Sequence, residues 1–175
     1  MESYKVDLST IREVTGAQLH VSGSVELPPL TVGDGTFTFT GPVDFDATLT
    51  NTSAGIVASG EVRATVTAVC SRCLEPFESP LTGEIEGFYV PGGRQEGIPA
   101  EQAVEPVSEG RVDLMPAILT ALAVEAPFAP LHAEDCKGIC PVCGADRNVE
   151  ECGCEPEAVA SPFDALKGLF PEDGE

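Results

Sequence analysis

The sequence predicts an α+β, β-rich protein: an antiparallel sheet or small barrel, one apolar helix and a cysteine-rich C-terminal module. Apolar and polar residues alternate from residue 17 to about 90, one uncharged segment follows, and five of the seven cysteines lie between residues 136 and 154. At 175 residues the chain is long enough for one domain with its own core. We expect a β body over 1–90, a mobile connection over 91–110, an apolar helix over 111–131 and a metal-binding module with a short terminal helix over 132–175.

The predicted strands each have one apolar and one polar face. In AQLHVSGSVEL, Leu19 and Val21 alternate with Gln18 and His20, which places His20 on the solvent-exposed face. GDG at residues 33–35 predicts a turn before TFTFT, and the alternation continues in VDFDATLTN, EVRATVTAVC and LTGEIEGFYV. Because strands with one solvated face are typical of antiparallel sheets, we expect that arrangement here.

The segment 91–110 is rich in Gly, Pro and Glu, which predicts a mobile connection. The next segment, DLMPAILTALAVEAP, carries no charge between Asp113 and Glu125. It predicts a helix with Asp113 as N-cap, Pro116 in the first turn and Pro127 after the end. A helix this apolar should bury nearly its whole circumference, and we expect it on the sheet rather than against a partner. Near the C-terminus, SPFDALKGLF predicts a short amphipathic helix that docks on its own domain.

The net charge of −20, from 29 acidic and 9 basic residues, bears on the choice of partner. A field of that sign repels phosphate backbones and attracts basic proteins. We therefore expect a basic partner protein, with nucleic-acid contact limited to a local patch around Arg72, Lys137 and Arg147. The alternative that the acidity serves only solubility stays open.

No uninterrupted apolar segment approaches the roughly 18 residues that a membrane span needs. The first residues, MESYKVDLST, also lack a basic stretch followed by an apolar run. We therefore expect a cytoplasmic protein that has no membrane partner. In a reducing cytosol, clustered cysteines are more often metal ligands or redox groups than disulfides.

Four cysteines of the C-terminal module have the spacing of a closed metal site. In CPVCG, Cys140 and Cys143 can clasp one ion across a tight turn, and Gly144 can adopt the positive φ that follows such a turn. In CGC, the thiols of Cys152 and Cys154 face the same side of an extended segment and can reach the same ion. These four thiolates predict a tetrahedral site, for which zinc is the first candidate.

The other three cysteines, Cys70, Cys73 and Cys136, need a fourth ligand. His132 stands four residues before Cys136 and is the one histidine outside the predicted strands. Eight ligands would make two closed sites, so we expect one or two structural zinc ions. Two alternatives stay open: Cys136 belongs to the C-terminal site and one thiol of CGC is free, or the CSRC pair around Arg72 is a redox disulfide.

No motif in the sequence indicates catalysis. It has no Gly-rich phosphate loop and no activated serine, and its acidic residues are spread over solvated strand faces and loops. Closed metal sites have no open coordination position for a substrate. We therefore expect a protein that is not an enzyme and has no small-molecule substrate.

Several sequence blocks resemble the YceD family, the large ribosomal RNA subunit accumulation proteins. These blocks are VCSRCLEPFE, VDLMPAILTALAVEAPFAPLH, DCKGICPVCGADRN, CGC and SPFDALKGLF, in the family's order over roughly residues 66 to 170. One departure is that the family commonly carries cysteine where this chain has His132, an exchange that keeps a zinc ligand.

The resemblance implies a bacterial cytosolic protein needed for the synthesis, processing or stability of 23S ribosomal RNA and for large-subunit assembly. Together with the charge, it makes a basic ribosomal protein or assembly factor the expected partner, with limited contact to ribosomal RNA. Two alternatives come from other classes of protein. One is a thiol redox or metal-based electron-transfer protein, and the other is a zinc module that binds RNA directly.

Overall fold

The structure is a computed structural model, and it describes residues 3–92 and 103–155. Within these ranges the chain forms nine strands and one helix: β1 (Lys5–Asp7), β2 (Gln18–Val25), β3 (Leu30–Val32), β4 (Gly35–Phe39), β5 (Val43–Asn51), β6 (Ile56–Val69), β7 (Pro76–Pro91), β8 (Glu105–Val107), β9 (Arg111–Asp113) and α1 (Met115–Glu125). The predicted terminal helix and about half of the predicted mobile connection lie outside the described residues. No helix in the described ranges is long and apolar enough to cross a membrane.

Strand β6 is the centre of the main sheet. It pairs with β7 over its whole length, from Ile56 opposite Tyr89 to Val69 opposite Pro76. Its other edge pairs with β5 and then with β4, while β2 extends β5 and β3 extends β4. All these pairs are antiparallel, which confirms the predicted β-rich, antiparallel architecture. The exception is β8, which lies parallel to the end of β7.

The alternating pattern of the sequence places the core on one face of the sheet. In β5, for example, Val43 and Phe45 are buried while Asp44 and Asp46 are exposed, as predicted. Helix α1 packs on the buried face against β7. At Gly83 a side-chain Cβ would lie only 2.5 Å from the carbonyl oxygen of Ala121, so glycine lets the helix approach the strand closely.

The N-terminal segment is fixed to the sheet by Asn51, at the end of β5. Its buried side-chain amide donates hydrogen bonds to the carbonyl oxygens of Ile11, Arg12 and Val14, the shortest at 2.7 Å. Because an unpaired amide would be costly to bury, this network satisfies Asn51 and holds the turn that precedes β2.

Helix α1, Met115–Glu125, is shorter than the predicted segment 111–131, and its N-cap lies one residue after the predicted one. The N-cap is Leu114 rather than Asp113. The Asp113 carboxylate still accepts a hydrogen bond from the backbone N–H of Met115 at 3.0 Å, and a second one from that of Tyr4 at 2.9 Å. Asp113 therefore satisfies a free N–H at the helix start while it also anchors the N-terminus.

The prediction that α1 buries nearly its whole circumference is wrong. One face packs on the sheet, through Met115, Ala117, Ile118, Ala121 and Leu122. On the opposite face Val124 is 75% exposed. A sheet covers only one side of a helix, and a composition of Ala, Leu and Val does not specify which side that is.

Three short strands were not predicted. Strands β1 and β9 pair with each other as a separate two-stranded sheet, and β8 lies in the segment predicted as a mobile connection. Each has three residues, which is too short for an alternating pattern to be visible. Their pairing with distant segments, rather than local sequence, specifies them.

Candidate metal centres

The first cluster, called centre 1, consists of Cys70, Cys73, His132 and Cys136. Cys70 directly follows β6 and Cys73 lies in the turn before β7, whereas the other two follow α1. The Sγ atoms of Cys70 and Cys136 are 3.8 Å apart, and Cys73 Sγ lies 3.3 Å from His132 Nδ1. All four candidate ligand atoms lie within 4.8 Å of one another, an arrangement that could hold one metal ion.

Backbone and side-chain hydrogen bonds join the Cys70–Cys73 turn to the segment that carries His132 and Cys136. The Ser71 N–H donates to the carbonyl oxygen of Pro130 at 2.8 Å. The Arg72 guanidinium donates to the carbonyl oxygens of Glu134 and Cys136, at 3.1 and 2.9 Å. The three cysteines of the centre are buried, while His132 is exposed.

The second cluster, called centre 2, consists of Cys140, Cys143, Cys152 and Cys154. Its four Sγ atoms also lie within 4.8 Å of one another. It is more exposed than centre 1, because Cys143 is exposed and both Cys152 and Cys154 are only half-buried. All seven cysteines are free thiols in the described part of the chain. The structure thus groups the eight residues as the sequence analysis did, although metal binding itself stays a prediction.

The two CxxC segments form the same turn. The Leu74 N–H donates to the Cys70 carbonyl, and the Gly144 N–H donates to the Cys140 carbonyl, both at 2.9 Å. The donor residue has a positive φ in each turn, 64° at Leu74 and 76° at Gly144. Glycine adopts this conformation without strain, whereas leucine does so at a cost of about 1–2 kcal/mol.

The thiols of centre 1 differ in acidity. Burial raises the pKa of Cys70, but hydrogen bonds from backbone amides, foremost that of Cys73, outweigh this and lower the pKa to about 5. The Glu75 backbone amide lowers the pKa of Cys73, but burial and the sulfurs of Cys70 and Cys136 raise it to about 11. When one of these closely packed thiols ionises, its negative charge raises the pKa of its neighbours. A bound divalent cation would offset this repulsion and allow all of them to ionise.

Centre 2 shows the same division. The backbone amides of Cys143 and Val142 lower the pKa of Cys140 to about 6. The neighbouring Cys143 thiol raises the pKa of Cys154 to about 12, with burial contributing in the same direction. Each centre therefore has one thiol that ionises readily and at least one that stays protonated at neutral pH without a cation.

Sequence reasoning missed Asn148, whose side chain donates to the Cys136 sulfur across 3.5 Å. The signal available was its place in the segment CKGICPVCGADRN, which resembles the family motif, but nothing in that spacing indicates which group it contacts. The hydrogen bonds from Arg72 to the backbone of centre 1 were also missed, because they join two segments that are distant in sequence.

The backbones of the three residues predicted to form a local basic patch, Arg72, Lys137 and Arg147, lie close together. The Arg147 N–H donates to the Gly138 carbonyl at 3.0 Å, and a Cβ at Gly138 would lie 3.3 Å from that of Arg72. Lys137 adjoins Gly138 and is exposed. The Arg72 guanidinium is already bonded to two carbonyl oxygens, which leaves Lys137 and Arg147 as the freer charges.

The solvated face of the sheet is strongly acidic. Asp46, Glu61 and Glu84 lie directly opposite one another on β5, β6 and β7, and Glu86 follows two residues later. These residues line an open depression of about 810 Å³. Like charges in direct register destabilise a sheet, and here Arg63 offsets them in part through an ion pair with Glu61.

The chain matches known sequences over its cysteine clusters. The model of the family described as "Large ribosomal RNA subunit accumulation protein YceD" matches residues 58–170, more than half of the chain. That range includes α1 and all eight candidate ligands.

Among curated proteins, uncharacterized proteins of Mycobacterium bovis and Mycobacterium tuberculosis are each 32% identical over 103 residues, which is 58% of this chain and 50% of the relative. An uncharacterized protein of Mycobacterium leprae is 30% identical over 110 residues, 62% of this chain and 51% of the relative. The chain spans about half the length of these relatives. No solved structure matches it.

Proposed function

Because the chain belongs to the YceD family of large ribosomal RNA subunit accumulation proteins, we propose that it is a non-enzymatic ribosome-biogenesis factor. In this role it supports the synthesis, processing or stability of 23S ribosomal RNA and so the assembly of the large subunit. The observation that carries the proposal is the family match over residues 58–170. The two closed clusters support a structural role, since each offers four ligands and leaves no position for a substrate.

Each cluster, in this proposal, holds one structural zinc ion. Zinc with four ligands and Zn–S bonds of about 2.3 Å places neighbouring sulfurs about 3.8 Å apart. The Sγ atoms of Cys70 and Cys136 are separated by that distance, well beyond the roughly 2.05 Å of a disulfide. Three thiolates with an imidazole, and four thiolates, are both established ligand sets for structural zinc. Iron is the competing metal, and a red or brown protein would indicate it.

The partner proposed here is a basic ribosomal protein or assembly factor that docks on the acidic sheet face. Asp46, Glu61, Glu84 and Glu86 there leave a negative field that Arg63 only partly offsets. Charge complementarity of this kind speeds association and selects cationic partners over RNA.

A second candidate is limited contact with ribosomal RNA at the corner of the module. Lys137 and Arg147 are exposed, Lys137 precedes Gly138 in the chain, and the Arg147 N–H donates to the Gly138 carbonyl. Two free cations support a local phosphate contact and not a broad RNA-binding surface, because each phosphate contact contributes only modestly to affinity at physiological salt.

The proposed function is tested in cells depleted of the protein. The ratio of 23S to 16S ribosomal RNA should fall, and the wild-type chain should restore it. A variant with Cys70→Ser and Cys136→Ser should fail to restore it. An unchanged ratio of the two RNAs and a normal large subunit after depletion would contradict the proposal.

The partner is tested by capture from lysate treated with nuclease. A triple variant, Glu61→Gln, Glu84→Gln and Glu86→Gln, should lose ribosomal proteins that the wild type retains. The matched control removes three charges elsewhere, through Glu13→Gln, Glu26→Gln and Glu109→Gln, and should retain them. Loss of every ribosomal partner from the wild type on nuclease treatment would contradict a protein partner and favour RNA.

A further inference from the structure

Asn148 belongs to the loop of centre 2, yet its side chain contacts centre 1. It lies between Cys143 and Cys152 in the sequence. Its Nδ2 atom lies 3.5 Å from Cys136 Sγ, and its Oδ1 atom accepts the backbone N–H of Lys137 at 2.8 Å. The loop closed by one set of candidate ligands therefore supplies a hydrogen-bond donor to the other set.

The orientation of this side chain is fixed by its neighbours. Asp146 Oδ1 accepts the Asn148 backbone N–H at 2.8 Å and its Nδ2 at 2.7 Å. The two Nδ2 hydrogens are thus directed at the Asp146 carboxylate and at the Cys136 sulfur. A flipped amide would point its oxygen at both of these acceptors and its donors at the Lys137 N–H, which excludes that orientation.

A hydrogen bond of this kind affects a metal ligand without touching the metal. An amide N–H that donates to a thiolate stabilises its negative charge and fixes the direction of its lone pairs. Outer-shell partners of metal ligands typically change metal affinity by about 10–100-fold when they are removed. Asn148 is placed to have this effect on Cys136.

The loop that carries Asn148 is also attached to centre 1 by its backbone. The Arg147 N–H donates to the Gly138 carbonyl at 3.0 Å, and Ile139 forms an isolated β-bridge with Asp146. Ile139 in turn donates its N–H to the Arg72 carbonyl at 3.0 Å. A metal ion at centre 2 would close the loop and so remove the entropic cost of ordering Asn148 beside Cys136.

We propose that Asn148 is a positioning residue of centre 1, held in place by centre 2, so that the two centres bind metal cooperatively. This inference rests on the proposed zinc sites. By linkage, whatever factor centre 2 adds to the affinity of centre 1, centre 1 adds equally to that of centre 2.

The test measures zinc affinity of the full chain by competition with a chromophoric chelator. Asn148→Asp keeps the shape and the acceptor for Lys137 but places a carboxylate oxygen against Cys136 Sγ, so it should weaken zinc binding at centre 1 by about 10–100-fold. Asn148→Ala should have an effect in the same direction, and it guards against a failure of the first variant to fold. The matched control is Val149→Ala, at a neighbouring side chain that is 84% exposed, and it should leave the affinity unchanged.

Cobalt provides a readout that a merely structural role would not change. Centre 1 offers three sulfurs and one nitrogen and centre 2 offers four sulfurs, so their cobalt spectra differ. Loss of the N–H bond in Asn148→Ala should shift the sulfur-to-cobalt charge-transfer band of centre 1 to lower energy. The band of centre 2 should stay where it is. Identical spectra in the variant and the wild type would overturn the positioning role.

A double-mutant cycle tests the coupling. Cys143→Ala with Cys154→Ala removes centre 2 and should weaken centre 1 by a similar factor, and Asn148→Asp should add little further. If the loss of affinity from removing centre 2 and the loss from Asn148→Asp multiply in the combined variant, the coupling is overturned. A wild-type chain that binds two zinc ions with no response to Asn148 variants overturns this inference alone. A wild-type chain that binds no metal overturns the zinc sites as well.

Discussion

The two candidate metal centres have similar ligands but different positions in the fold. Centre 1 joins segments that are far apart, since Cys70 and Cys136 are 66 residues from each other. Centre 2 is built within residues 140–154 and lies at the exposed edge of the described chain. Closing a longer loop costs more entropy, by about 0.6 kcal/mol for each doubling of its length. An ion at centre 1 should therefore stabilise the β body directly, whereas an ion at centre 2 should order its own loop and affect the β body only through Asn148.

The largest expected effect is the difference between the two centres in how much the loss of one ligand lowers the free energy of unfolding. In zinc-saturated buffer, Cys136→Ser should lower the free energy of unfolding of the β body by about 3 kcal/mol or more, because structural zinc contributes directly to folding. Cys154→Ser should lower the same free energy by less, at most the about 1.4–2.7 kcal/mol that corresponds to a 10–100-fold weaker affinity of centre 1 for zinc. Chemical denaturation followed by circular dichroism measures both. Equal losses in the two variants would contradict the comparison.

The next prediction concerns His132, the exposed candidate ligand of centre 1. His132→Ala should reduce the metal content from two ions per chain toward one, while His132→Cys should keep two, because either side chain can ligate zinc. His20→Ala is the matched control. That histidine lies on the solvated sheet face, with its Nε2 3.1 Å from Asp46 Oδ2, and its loss should change nothing. Two ions retained in His132→Ala would remove this residue from the site.

Zinc binding should release protons and weaken on acidification. The pKa of Cys73 is raised to about 11 and that of Cys154 to about 12, so both thiols are protonated at pH 7 before the metal binds. The ion must displace those protons, and its affinity therefore falls as the pH falls. Below about pH 6 Cys140 also becomes protonated, which weakens centre 2 further. Calorimetry in buffers of different ionisation enthalpy counts the protons, and a count of zero would contradict the prediction.

The smallest expected effects are changes in stability when the positive-φ residue of each CxxC turn is replaced. Gly144→Leu should destabilise centre 2 by about 1 kcal/mol through backbone strain alone, since a Cβ at Gly144 meets no atom within 4 Å. Leu74→Gly should be neutral or stabilising by a few tenths of a kcal/mol, because relief of strain at φ 64° is offset by the greater freedom of glycine in the unfolded chain. Thermal denaturation of both variants measures these changes. A strong destabilisation by Leu74→Gly would show that its 61% exposed side chain makes contacts needed for folding.

The sequence predicted what depends on local pattern. The alternation in VDFDATLTN corresponds to β5, Val43–Asn51, and the predicted GDG turn joins β3 to β4, with Gly35 as the first residue of β4. Cysteine spacing grouped the candidate ligands of centre 2, because all four are close in the chain. The three-residue strands β1, β8 and β9 could not be predicted, because pairing with distant segments specifies them. The exposure of Val124 and the contact between Asn148 and Cys136 depend on how elements pack, which composition does not encode.

The central claim is that the chain holds two structural zinc ions. Elemental analysis for zinc and iron, on protein purified without a metal-affinity step, tests it most directly. We predict two zinc ions per chain, no iron, and a colourless protein. One zinc per chain would contradict the eight-ligand arrangement and make the CSRC thiols available for redox chemistry, and iron in place of zinc would contradict the structural role itself.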